Sequence, residues 1–172
     1  MTRILDDRSL DSLFRAARTC RVWLDKPVSD AIIEAVWELA KLPPTSTGAY
    51  PARILFIRSL EAKQELLPAL AAEDRASAAA APVNAILGYD GAAGPAALRD
   101  ATLQAGYLIL AARAIGLDCA PIALADPARV ERKFFAGAGV KGSFVCNLGY
   151  GEPGAPEDPA PRPGFEQACR IV

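Results

Sequence analysis

The sequence predicts one domain that mixes amphipathic helices with short buried strands, and three observations support this. Apolar residues recur at helical spacing in several stretches, apolar runs bounded by turn residues recur between them, and no shift of composition marks a second domain. A chain of 172 residues is also of single-domain length. A chain of that size buries roughly 70% of its unfolded surface, so it needs no disulfide or metal staple.

Ser9 is a candidate N-cap for a first helix in which Leu10, Leu13, Phe14 and Ala17 follow the i, i+3, i+4, i+7 spacing of one buried face, ending near Arg18. Lys26-Pro27-Val28 breaks the chain. Ser29 then caps a second helix carrying Ile32, Ile33, Val36, Trp37 and Ala40, which Pro43-Pro44 ends. Thr45-Ser46-Thr47-Gly48-Ala49-Tyr50-Pro51 reads as a hydroxyl-rich loop feeding a buried strand at Ile54-Leu55-Phe56-Ile57. Ser59 caps a third helix that Pro68 kinks or shortens. The stretch 71–81 is Ala-rich, Pro82-Val83-Asn84-Ala85-Ile86-Leu87 reads as a second strand, and 88–95, with its glycines, as a loop.

The longest helix spans 96–115. Leu98, Thr102, Ala105, Gly106, Ile109, Ala112 and Arg113 form one face, and Leu103, Tyr107, Leu110 and Ala114 another. A helix apolar over most of its circumference belongs at the centre of a domain or at a subunit interface. Gly116 is its C-terminal cap. A short segment, Asp118-Cys119-Ala120-Pro121-Ile122-Ala123, leads to Asp126 as N-cap with Pro127 at the first helical position, opening a helix that runs to Gly137. The last strand, Ser143-Phe144-Val145-Cys146-Asn147-Leu148, ends at Gly149-Tyr150-Gly151. Residues 1–151 therefore read as the domain. Residues 152–172 read as a Pro-rich arm with little to pack, laid across something else or disordered.

Composition excludes several classes of function. Lysine plus arginine is 19 and aspartate plus glutamate 20, the net charge is −1 and the basic residues are scattered, so nucleic acid is not an expected partner. The apolar stretch 103–117 is interrupted by Arg113 and falls short of the ~20 residues of a membrane span, and the acidic N-terminus does not read as a signal peptide. A cytoplasmic protein without membrane attachment is expected. Cys20, Cys119, Cys146 and Cys169 form no C-x-x-C pair, so they read as reduced packing residues, with no metal site. Histidine is absent, which removes the commonest general base and every His-containing nucleophilic or metal arrangement. No catalytic side chain is singled out, and any redox chemistry has to come from a bound cofactor.

Arg18-Thr19-Cys20-Arg21-Val22-Trp23 sets two guanidinium groups three positions apart with a hydroxyl beside the first, a donor set that suits one phosphate. The alternative is two solvated charges offsetting the dipole at a helix end.

This hexapeptide, followed by Asp25-Lys26-Pro27-Val28, resembles the opening R-S-x-R-x-F…x-P-V of the flavin-dependent nitroreductase family. Pro44-Thr45-Ser46-Thr47-Gly48-Ala49-Tyr50-Pro51-Ala52 is similar to its P-S-S-x-N-x-Q-P segment. The run from Leu103-Gln104 to Asp118-Cys119 resembles its central helix, and Asn147-Leu148-Gly149-Tyr150-Gly151 its closing strand. The resemblance covers nearly the whole chain and is nearest to the branch of malonic semialdehyde reductase.

It implies an α+β fold with a mainly antiparallel sheet flanked by helices, in an intertwined homodimer with one FMN in each of two interface pockets and the arm 152–172 crossing to the partner. It further implies Arg18, Thr19 and Arg21, assisted by Arg162, on the FMN phosphate. Thr45, Ser46, Thr47 and Gly48 are implied along the ring and ribityl region, Gln104 near the flavin, and the backbone at Pro121 and Ile122 by the reactive edge. The implied activity is hydride transfer from NADH or NADPH through the flavin to a small organic substrate. Three positions depart from the family. Gly48 stands for an asparagine, Leu124 for a glycine, and 90–98 is a short loop where relatives carry a longer one, so the chain reads as a shortened member with a more open pocket. These departures leave a second outcome open, a relative that binds flavin or another ligand without turnover.

Overall fold

The computed structural model describes residues 4–46, 48–154 and 160–172. Its centre is a four-stranded antiparallel sheet in the order β1 (Ala52–Ile57), β2 (Val83–Asp90), β4 (Val140–Gly149), β3 (Asp118–Ala123). Helices cover both faces, which makes the fold α+β.

Strand alternation sorts the core into two layers. Val83, Ala85 and Leu87 of β2, with Cys146 and Leu148 of β4, pack toward α2 (Asp30–Ala40) and α5 (Ala97–Ala114). Ile86 and Val145 point the other way, toward α3 (Leu60–Leu66), α4 (Ala72–Ala80) and α6 (Pro127–Phe134). Asn84 and Asn147, opposite one another in β2 and β4, are buried polar exceptions. Asn84 Nδ2 donates to Asn147 Oδ1 at 2.8 Å and to Ala78 O at 2.9 Å, tying the sheet to α4.

Three caps stand where their side chains place them: Ser29 accepts from Ile32 N, Ser59 from Ala62 N and Asp126 from Arg129 N. The first helix differs. Its cap is Asp6, whose carboxylate accepts from Ser9 N at 2.8 Å and favours the helix N-terminus by charge as well. α1 (Asp7–Leu10) continues into a π turn, Asp11–Arg15, and stops before Arg18.

Four further departures have simple causes. The Ala-rich stretch forms α4, since alanine has the highest helix propensity and Glu73 and Asp74 sit in its first turn. Residues 88–90 belong to β2 because Gly88 lets β4 approach: a Cβ there would lie 2.7 Å from Lys141 O and from Val140 Cγ1. The segment around Pro121 is a strand because β3 lies at the sheet edge, where a missing N–H is tolerated. In α5 the buried stripe is mostly small or polar, with Asp100, Ala101, Gln104, Ala105 and Ala112 around one large apolar residue, Leu108. Leu98, Leu103 and Tyr107 stay exposed at 48%, 45% and 39%.

Past β4, α7 (Phe165–Ala168) is a single turn in which Gln167 Oε1 accepts from Gly164 N. No helix among the described residues is long and apolar enough to cross a membrane.

Candidate cofactor site

Residues 18–24 are stitched down in extended form. Thr19 bridges Cys119 on the free edge of β3, Cys20 N donates to Cys119 O at 3.0 Å, and Leu24 N donates to Tyr150 O at 2.8 Å. Trp23 bridges Gly151 and donates from Nε1 to Ser77 Oγ at 3.1 Å. The cluster is therefore a fixed strand-like segment, not the frayed end of a helix.

Arg18 Nη1 donates to Arg15 O at 2.8 Å and Ala17 O at 2.9 Å, which orients its guanidinium group. Arg113 Nη2 reaches from α5 to Arg18 O at 2.6 Å. A cavity of about 540 Å³ is lined by Arg18, Thr19, Arg113, Pro121 and Arg162, with Phe14, Arg15, Ala17, Ile109 and Ala160. Arg15 is engaged by Asp7 and Asp11, and among the described residues no carboxylate lines the cavity. Its guanidinium groups and the Thr19 hydroxyl match the donor set a phosphate requires.

Arg21 is placed differently. It lines a smaller neighbouring cavity of about 220 Å³ with Arg18, Thr19, Cys20, Asp118 and Gly151, and pairs with Asp74 at 3.3 Å.

The second group of expected residues lies at the other end of α5. Ser46 is bound to Asp100, and Gln104, with no exposure, accepts from Ala52 N at 3.0 Å while its Nε2 has no partner among the described residues. Thr45 is half-buried, and its carbonyl accepts from Gly48 N at 3.5 Å. Gly48 adopts φ +68 with open space around it. Thr47 lies outside the described residues. From Asp100 to Arg113 the helix rises about 20 Å, so one chain holds the two groups apart.

Along β3, Pro121 faces the large cavity while Ile122 turns into the core. Leu124, which would crowd a ligand if it pointed toward Pro121, bridges Leu70 and leans on Gly142 instead. The chain from Asp90 reaches α5 through a short turn.

Two of the thiols, Cys20 beside the arginine cluster and Cys146 in the core, are held in the protonated form. Contact with Cys119 and burial push Cys146 well up, and burial followed by Asp118 raises Cys20. Among the described residues no group of three or more His, Cys, Asp or Glu side chains could hold a metal ion. Sequence reasoning missed Arg113, which it took as part of an apolar face, and Asp100. The available signal was a charge at each end of an otherwise apolar helix.

These features define a class: an α+β protein with an arginine-lined cavity and, among the described residues, no metal-binding cluster. The chain belongs to the nitroreductase family, whose members are FMN-dependent oxidoreductases. The family model matches residues 14–86. A Stenotrophomonas maltophilia protein named for NADH dehydrogenase/NAD(P)H nitroreductase activity is 42% identical over 196 aligned positions, covering all of both chains. A Burkholderia lata protein of the same name is 42% identical over 97% of this chain and 98% of its own. An alignment of 196 positions on a chain of 172 residues means the relative carries segments this chain lacks.

Among solved structures, a protein from Exiguobacterium sibiricum named as a nitroreductase and solved with FMN superposes with TM-score 0.85. It is 19% identical and covers 100% of both chains. A gut-bacterial enone reductase, CLA-ER, has TM-score 0.85 at 12% identity, covering 98% of this chain and all of its own.

Proposed function

We propose that this protein is a homodimeric, cytoplasmic oxidoreductase that carries hydride from NADH or NADPH, through FMN, to a small organic acceptor: an aldehyde, a nitro compound or a quinone. The observation that carries this reading is the convergence of Arg18, Thr19 and Arg162 on one cavity that no carboxylate of the described residues lines.

Arg18 and Arg162 grip the FMN phosphate, with Thr19 adding a hydroxyl donor. Arg113 fixes the backbone beneath Arg18 and adds positive charge. Arg21, paired with Asp74, contributes less directly. Thr45, Ser46 and Gly48 face the ring and ribityl region, to which the resemblance also assigns Thr47. Gln104 braces their loop, and the backbone at Pro121 and Ile122 borders the reactive edge. Bound flavin supplies the hydride acceptor and donor. The protein's own share is holding the cofactor, excluding water and presenting the acceptor, which needs no histidine.

The two groups of residues lie about 20 Å apart along α5, so a second protomer brings a ring end to each phosphate end. The arm 152–172 brings Arg162 to this chain's own cavity and crosses to that partner beyond it, where Phe165 and Ile171 are exposed on the isolated chain.

Adding NADH or NADPH to purified, flavin-loaded protein without oxygen tests the reading. Loss of the yellow flavin absorbance supports it. Protein that holds flavin and stays yellow with both nicotinamides supports ligand binding without turnover, the reading favoured by the open space at Gly48.

A further inference from the structure

The chain grips its own 46–52 segment from one helix face. Asp100 and Gln104 lie one turn apart on α5, and each holds one end of the segment. Asp100 Oδ2 accepts from Ser46 N at 3.2 Å and from Ser46 Oγ at 2.6 Å, while Gln104 Oε1 accepts from Ala52 N.

Asp100 is only 3% exposed, so protein donors and not water must satisfy its charge. Its other oxygen accepts from Arg99 Nε at 3.1 Å, and Arg99 Nη2 donates to Ser46 Oγ at 2.7 Å, closing a ring of three side chains. A hydroxyl has one hydrogen, and that of Ser46 goes to Asp100. Ser46 therefore has none to donate to a ligand. The group this cluster turns outward is Arg99, whose side chain is 63% exposed.

An exposed aspartate would favour the helix N-terminus as well as a buried one does. Burying a carboxylate is costly unless each lone pair is filled, and here the filling fixes a loop and a guanidinium group together.

We propose that Asp100 is a positioning residue of the cofactor site. Acting through Ser46 and Arg99, it sets the loop that faces the flavin ring, and Arg99 is the donor that end presents. This rests on the reading above that Thr45, Ser46 and Gly48 belong to the ring end.

The test is to titrate FMN into flavin-free wild type, Asp100→Asn and Ser46→Ala. Flavin fluorescence quenching and the visible spectrum of bound flavin are followed, with Tm of the flavin-free forms measured alongside. Asp100→Asn is expected to bind FMN about tenfold more weakly with an altered visible band, since an amide cannot accept from both Ser46 and Arg99. Ser46→Ala is expected to lose less, and the variant with both changes is expected to lose less than the two losses summed. Unchanged affinity and spectrum in both variants would overturn the proposal, whatever happens to Tm. If Asp100→Asn does not fold, Ser46→Ala and Arg99→Met decide by the same readouts, a loss supporting and no change overturning it. Wild type that neither quenches flavin fluorescence nor gains stability from FMN sinks the flavin reading and this proposal with it.

Discussion

Arg18 and Arg21 sit three positions apart, yet their partners assign them different work. Arg18 gives two N–H groups of one nitrogen to backbone carbonyls, which holds its plane in place and leaves the other nitrogens to an anion. Arg21 pairs with Asp74 beside a different cavity. Arg18→Ala should therefore weaken FMN binding about ten- to hundredfold, the range expected when a hydrogen-bonded charge is lost. Arg21→Ala should cost clearly less in the same fluorescence titration. Equal losses would instead place the phosphate in the smaller cavity.

Asp100 sets a pH dependence. Hydrogen bonds from Ser46, with Arg99 adding, hold its carboxyl below the ordinary value of 3.8 in spite of burial. A depressed carboxyl stabilises the fold above the unfolded value, and that stabilisation is lost as pH falls through the folded one. The Tm difference between wild type and Asp100→Asn should thus hold steady from about pH 5 to 8 and shrink below about pH 4. Arg18 and Thr19 stood out in the sequence as a donor set that suits a phosphate and Arg162 through the family resemblance, and the structure brings the three to one cavity. Asp100 and Arg113 were not, because their roles come from partners 54 and 95 positions away.

At the scale of elements, local chemistry was the most readable part. Ser29, Ser59 and Asp126 cap helices because a side-chain oxygen meets an amide three residues on, a relation written within four positions. β3 was hidden for the opposite reason. Pro121 argues against a strand until the sheet order shows an edge, and only pairing with β4 reveals that.

Close approach by glycine belongs to this scale too. A Cβ on Gly149 would stand 2.5 Å from Pro82 Cδ and 3.1 Å from the Trp23 ring. Neither ring can swing away, so Gly149→Ala should destabilise the protein by about 1–3 kcal/mol in urea unfolding. The same change should loosen the segment that carries Arg18, read as faster amide exchange at Leu24, whose N–H bonds Tyr150. In the sheet centre, Asn84→Leu would strand Ala78 O and Asn147 Oδ1 inside the core, at an expected cost of about 2–4 kcal/mol by the same measurement.

For the whole molecule the decisive fact is where α5 keeps its large apolar residues. Apart from Leu108 its buried stripe is small or polar, while Leu98, Leu103 and Tyr107 are exposed. α2 packs beside it and leaves Leu39 exposed as well. Exposed apolar side chains on adjacent helices suit an interaction surface, and this helix spans the distance between the two groups of proposed cofactor residues. If a second copy covers that face, association and FMN binding are linked. FMN that contacts two protomers must tighten the dimer by the factor by which the dimer tightens FMN. Wild type should therefore sediment at twice 18.1 kDa, with a dimer dissociation constant that falls as FMN is added. Leu103→Glu places a charge in the interface at a position already exposed in the single chain, so the fold should survive. The expected result is an 18.1 kDa species with wild-type circular dichroism and FMN affinity lowered by more than the loss from Arg18→Ala, since a monomer keeps one half of each site. A Leu103→Glu monomer that binds FMN as tightly as wild type would show that one chain completes the site alone, against the separation along α5.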